Sequence, residues 1–203
     1  MNVIEHFFIG WCIANTSRDP GRRERVLITA AAVIPDVDGL GMLVEIPTRN
    51  TSHPLLWWTE YHHILAHNIG AAIIVTAAAY FIARQQRWLT ALLAFIAFHS
   101  HIVGDIIGAR GPDGYQWPIP YFLPFARYPE LSWKGQWALN AWPNFVITAI
   151  ALAITFRLAW SRGHSPLEMF SARADEIFVS TLRARFTRRA SAAGSRTDDV
   201  PRA

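Results

Sequence analysis

Residues 88–107 and 138–160 form two long apolar segments, and they constrain this chain more than any other feature. A membrane-spanning helix needs ~20 apolar residues, with ~17 as a lower limit. Residues 64–83 also qualify, with Asn68 as a polar interruption. Two shorter apolar stretches, residues 3–14 and 26–34, would span only with help from flanking residues, or would pack as short helices against the others. The hydrophobic fraction of 52% agrees with a membrane chain. The expected fold is therefore all-α: an integral membrane helical bundle of about five membrane-embedded helices.

Basic residues orient it. Lysine occurs once, at Lys134, so arginine carries the positive charge. "SRDPGRRER" follows the first apolar stretch, "RQQR" joins the third and fourth, and Arg157, Arg162 and further arginines follow the fifth. The positive-inside rule places these regions in the cytoplasm. Residues 39–61 and 108–137, rich in Pro, Trp and Tyr, then face outward, with the N-terminus out and the C-terminus in. Glu5 and His6 stand where a signal peptide would be basic. The single cysteine, Cys12, excludes an internal disulfide framework and reads as packing.

Two regions are expected. Residues 1–163 form the membrane-embedded domain, and residues 164–203 form a cytoplasmic amphipathic helix with a disordered tail from residue 190. In "SPLEMF", Ser165, Pro166 and Glu168 have the spacing of a capping box. Leu167, Phe170, Ile177, Phe178, Leu182 and Phe186 then recur at helical spacing among arginines. That pattern suits either the anionic inner leaflet or packing against the bundle. The expected partner is membrane lipid, and the basic balance requires no nucleic acid.

Ionisable residues gather at one level. On a helix rising ~1.5 Å per residue, His6 lies ~18 Å from Arg18, Asp36 ~17 Å from Arg25, His67 ~25 Å from Arg84, and His101 and Asp105 ~21 and ~27 Å from Arg87. All fall in the outer half of the bilayer or at its outer interface. Neutral imidazoles and carboxylates are ligands of zinc and related divalent ions, and ionisable groups in an apolar setting are costly unless functional. His101 and Asp105 are four apart, on one helix face, as are His63 and His67. Asp36 and Asp38, after Pro35, share one side if the segment is extended. Any one of these alone reads more readily as a hydrogen-bonded structural residue or a turn, and it is their joint occurrence at one level that favours a metal site. His99, nearly opposite His101 on its helix, reads as structural or supporting. His53 and His164 read as uninvolved.

The same residues carry a resemblance. "PDVD", "HHILAHN", "HIVGD" and "GARGPDGYQWPIPYFLPF", with His6 ahead of them, resemble the bacterial inner-membrane, metal-dependent hydrolases of the YdjM/YbcI type. The resemblance covers roughly residues 1–165. It implies a site drawn from His6, Asp36, Asp38, His62, His67, His101 and Asp105, an inner-membrane location and hydrolysis. His63 and Asn68 depart from the Arg and Ser usual in the family. The resemblance favours His62 as a ligand while helical spacing favours His63; His62 ranks first, with His63 as the alternate.

The expected activity is hydrolysis of an ester, a lipid or phosphate ester, at the outer membrane interface. Seven candidates exceed one tetrahedral zinc, so two ions, or one ion with a carboxylate base from Asp36 or Asp38, are expected. The alternative is a non-catalytic membrane protein with a structural metal. A metal channel is disfavoured, because polar residues do not continue to the cytoplasmic side. Haem is disfavoured because the histidines come with carboxylates.

Overall fold

The computed structural model describes residues 1–111 and 113–194, with side chains through Phe186. Helices dominate, and among the described residues there are two isolated β-bridges but no strand. Two compact units divide at Leu152 and Ala153.

The first unit is built around α6 (Arg87–Gly108). Its Thr90, Ala91, Ala94, Ala97, Phe98, His101, Ile102, Gly104, Asp105 and Gly108 recur every three to four residues and are buried. Against it pack α1 (Val3–Ala14), α2 (Arg22–Ala31) and α5 (Ile69–Ile82). The contact is made by small residues: Ala14, Ala31, Ala32, Ala79, Ala94 and Ala97 form one cluster with Ile28. Such residues let backbones approach closely where lipid supplies no hydrophobic drive between helices. Gly10 shows how closely: a Cβ there would meet the Ala32 Cβ at 2.6 Å.

Local chemistry sets the ends. The Asn2 side chain accepts from the Glu5 N–H while the Glu5 carboxylate accepts from the Asn2 N–H, a reciprocal cap that starts α1. Glu24 of α2 accepts the backbone N–H groups of Arg84 and Gln85 at 2.9 and 3.0 Å, which fixes the α5–α6 link.

Among the described residues two helices, α6 and α7 (Trp142–Arg162), are long and apolar enough to cross a membrane, or up to three if one bent pair counts as a span. That is fewer than the expected five, for local reasons. Asn68 caps α5 by accepting from the Ala71 N–H, so the helix begins at Ile69 rather than 64. At 14 and 12 residues, α5 and α1 rise ~21 and ~18 Å, short of a ~30 Å hydrocarbon core. Pro35 ends the α2 pattern. A 3-10 helix, Ile34–Gly41, follows and leads into α3 (Met42–Thr48), and the combined stretch Ile34–Thr48 is bent 51° from α2. Buried Glu45 ties α3 to α4 (Trp57–Tyr61) by accepting from the N–H and hydroxyl of Thr59.

The long connection from α6 to α7 folds back on the bundle. The carbonyls of Tyr121 and Leu123 accept the N–H groups of Ile69 and Gly70, which the start of α5 leaves unpaired. Buried Asn144 donates to the Gly108 and Leu139 carbonyls and accepts from Trp137 Nε1.

The second unit begins at Ala153 and holds the end of α7, a 3-10 turn (Pro166–Met169) and α8 (Ala172–Gly194). The expected single helix from Pro166 is broken. Ser165 Oγ accepts from the Leu167 N–H, but Glu168 does not complete the box, and the Ser165 N–H and hydroxyl both donate to Asp175. Ser171 then caps α8 by accepting from the Ala174 N–H. Helix α8 continues to Gly194, into the stretch expected to be disordered; residues 195–203 of that stretch lie outside the described residues.

Candidate metal centre

Three elements bring four ionisable side chains to one place. Asp36 comes from the 3-10 helix, His67 from the irregular segment before α5, and His101 and Asp105 from one face of α6. One ligand atom from each lies within 4.8 Å of all the others. His67, His101 and Asp105 are buried, and Asp36 is half-buried.

Hydrogen bonding fixes which atoms face inward. His67 Nδ1–H donates to Asp38 Oδ2 at 3.0 Å, and His101 Nδ1–H donates to the Ala32 carbonyl at 2.8 Å. A carboxylate and a carbonyl only accept, so each ring, in its neutral form, carries its proton on Nδ1 and presents a lone pair at Nε2. Although burial disfavours its charged form, hydrogen bonds to Asp105 and Asp38 raise the pKa of His67 to about 9, so a bound cation would take the place of its Nε2 proton. Those two Nε2 atoms stand 3.1 Å apart. Asp105 Oδ2 is 3.0 Å from His101 Nε2 and 3.3 Å from His67 Nε2. Asp36 Oδ1 is 3.8 Å from His101 Nε2. With both rings neutral, four acceptors converge in a buried site. A shared proton could relieve one pair, whereas a cation could be bound by all four. Ligand distances of ~2.0–2.2 Å, usual for zinc with nitrogen and oxygen, are compatible with this spacing.

The remaining candidates stand behind this group. Asp38 Oδ1 accepts from His62 Nδ1–H at 2.7 Å while its Oδ2 holds His67, so both oxygens are engaged. His6 Nε2–H donates to Asp105 Oδ1 at 3.2 Å, beside the Met1 amino group, and its ring stacks on His101 with centroids 3.7 Å apart. Gly104 permits that approach, since a Cβ there would meet His6 Cε1 at 3.0 Å. Asp36 and Asp38 do not share one side as an extended segment would have them. The 3-10 helix has three residues per turn, so side chains two apart diverge, one to the cluster and one to the imidazoles behind it.

The YdjM inner membrane protein family model matches residues 1–174, which include every residue of this arrangement. The chain belongs to the YdjM inner membrane protein family. No curated protein and no solved structure is significantly similar to it.

In this YdjM-family chain, neither His62 nor His63 joins the four-residue group. His62 pairs with Asp38, and His63 Nε2 lies 3.8 Å from Asp105 Oδ2. His63 has φ +67°, a conformation that costs a non-glycine residue about 1–3 kcal/mol and that marks functional segments when the surroundings enforce it. Burial, reinforced by neighbouring His67, holds its imidazole well below the ordinary range, so it is neutral at physiological pH. Both rings line a cavity of about 380 Å³ that also touches Tyr115, Trp117 and Arg127.

Sequence reasoning missed three supports. The Ala32 carbonyl orients His101, but a backbone atom leaves no mark in a residue pattern. Gln136 Nε2 donates to the Asp105 carbonyl at 2.7 Å from a loop without periodicity. Tyr121 OH donates to His99 Nε2 at 2.7 Å while His99 Nδ1–H donates to the Phe95 carbonyl, which ties the loop to α6.

Proposed function

We propose that this YdjM-family protein is a multi-pass inner-membrane hydrolase that uses a divalent metal ion, with zinc the first choice, to cleave a lipid or phosphate ester at the outer membrane interface. The observation that carries the reading is the convergence of His67 Nε2, His101 Nε2, Asp105 Oδ2 and Asp36 Oδ1 beside a cavity. When bound, such an ion acts as a Lewis acid toward an ester oxygen and lowers the pKa of water toward ~7.

The protein's own groups do the rest. His67, His101, Asp105 and Asp36 would hold the ion. Asp38 and the Ala32 carbonyl keep the two imidazoles in the tautomer that offers Nε2. Asp36 Oδ2 is buried without a hydrogen-bond partner, whereas both oxygens of Asp38 are occupied. Asp36 is therefore the better of the two candidate bases to take a proton from the attacking water. Exposed Leu40, Leu43 and Ile46 lie close in sequence to the two aspartates and suit an access route from lipid.

Metal content decides first. The protein, purified in mild detergent and offered zinc or manganese, should carry stoichiometric metal and hydrolyse members of a phosphoester and phospholipid panel. No bound metal would overturn the reading. Bound metal with no cleavage would instead favour a structural ion, which the burial of three of the four ligands also suits. The topology has its own test: a reporter at Asp113 should read as periplasmic and one at Gln85 as cytoplasmic. Reversed signals would move the site to the other face.

A further inference from the structure

The cavity beside the cluster has chemistry of its own. Two of its lining residues also reach the metal centre, His62 through Asp38 and His63 at 3.8 Å from Asp105. Tyr115, Trp117 and Tyr128 contribute rings, and Ile64 and Leu123 contribute apolar surface. Among the described residues, Arg127 is its one permanently cationic lining side chain. The partner of Arg127 there is Glu130, with Nε to Oε1 at 3.8 Å, beyond hydrogen-bond reach. Its side chain is 66% exposed, so the guanidinium fork is available. Arginine recognises phosphate through paired N–H groups in a plane. Phe122 and Phe125, exposed close by in the chain, place apolar surface near that cation.

We propose that Arg127 binds the phosphate of an amphiphilic phosphoester in this cavity, with the alkyl portion against the apolar wall and the neighbouring loop. The inference deepens the hydrolase reading and rests on it for the meaning of the site, though Arg127-dependent binding can be measured without metal. Glu130 acts in the opposite sense, since its carboxylate repels the anion and competes for the guanidinium.

The test uses the full chain in neutral maltoside detergent, with dodecyl phosphate and inorganic phosphate as probes and calorimetric titration as the readout. Titrations are run with and without chelator. Saturable binding of dodecyl phosphate is expected in both conditions, tighter than inorganic phosphate. Arg127→Gln should weaken it about tenfold or more, as expected for loss of a charged hydrogen-bonding partner. Glu130→Gln should tighten it, a gain that a merely structural role for the pair would not produce. Unchanged thermal melting and metal uptake would show that both variants are folded.

Equal binding by the parent and Arg127→Gln would overturn the proposal, as would no saturable binding by the parent. Binding that vanishes with chelator but survives in Arg127→Gln would place the anion on the metal centre, overturning this inference and leaving the hydrolase reading intact. Arg127-dependent binding by a protein that takes up no metal would keep the subsite and sink the hydrolase. Equal affinity for inorganic phosphate would overturn the amphiphile assignment.

Discussion

His101→Ala and Asp105→Asn are each expected to abolish stoichiometric metal binding while leaving a folded helical protein. The two side chains sit one turn apart on the buried face of α6 and supply two of the four converging atoms. Loss of a ligand should exceed the ~10–100-fold drop in affinity usual when a residue supporting a ligand is removed. Asp105→Asn is the sharper variant, because it keeps the side-chain shape and its packing while removing the charge. Thermal melting gives an independent readout. An ion present at ~1,000 times its Kd stabilises the folded state by about 4 kcal/mol, so chelator should lower the melting temperature of the parent. The variants should melt at one temperature with or without chelator. Metal retained in both, at parental stoichiometry, would mean that the cluster is a hydrogen-bonded core and nothing more.

Asp38→Asn is expected to weaken metal binding by ~10–100-fold without abolishing it. Asp38 does not join the four-atom group, but one oxygen holds His67 Nδ1 and the other holds His62 Nδ1. An asparagine can accept from one imidazole only and turns an N–H₂ toward the other, so His67 loses its enforced tautomer or its orientation. A double-mutant cycle separates the explanations. If Asp38 acts through His67, its substitution should add little once His67→Ala is present. Fully additive losses would show that Asp38 works independently of that ring. A loss as complete as that of His101→Ala would make Asp38 a ligand itself.

These effects bear on the choice between a catalytic and a structural ion. Three of the four candidate ligands are buried, but the fourth, Asp36, is half-buried and leaves one carboxylate oxygen unpartnered. A cavity of about 380 Å³ adjoins the supporting imidazoles. A purely structural ion would require neither feature.

Local rules were enough for part of this. The four-residue spacing of His101 and Asp105 placed both on one face of a long helix, because a regular helix repeats every 3.6 residues whatever surrounds it. The apolar runs marked α6 and α7 as candidate spans, and imidazoles with carboxylates in an apolar setting pointed to a metal. Other local features were masked by the apolar pattern around them. Asn68 shortened α5, a cap legible in principle but outweighed by the apolar run around it. Pro35 turned "PDVD" into a 3-10 helix, so two aspartates expected side by side took separate roles.

The sequence by itself determined which residues could be ligands, because residue type and helical spacing are local properties. Only the tertiary structure decided which of them converge and which stand behind. That choice rests on where each imidazole proton goes, and the proton follows a partner from another element: the Ala32 carbonyl for His101, the Asp38 carboxylate for His67. Those partners lie 69 and 29 residues away along the chain, and no local pattern can encode an acceptor that distant.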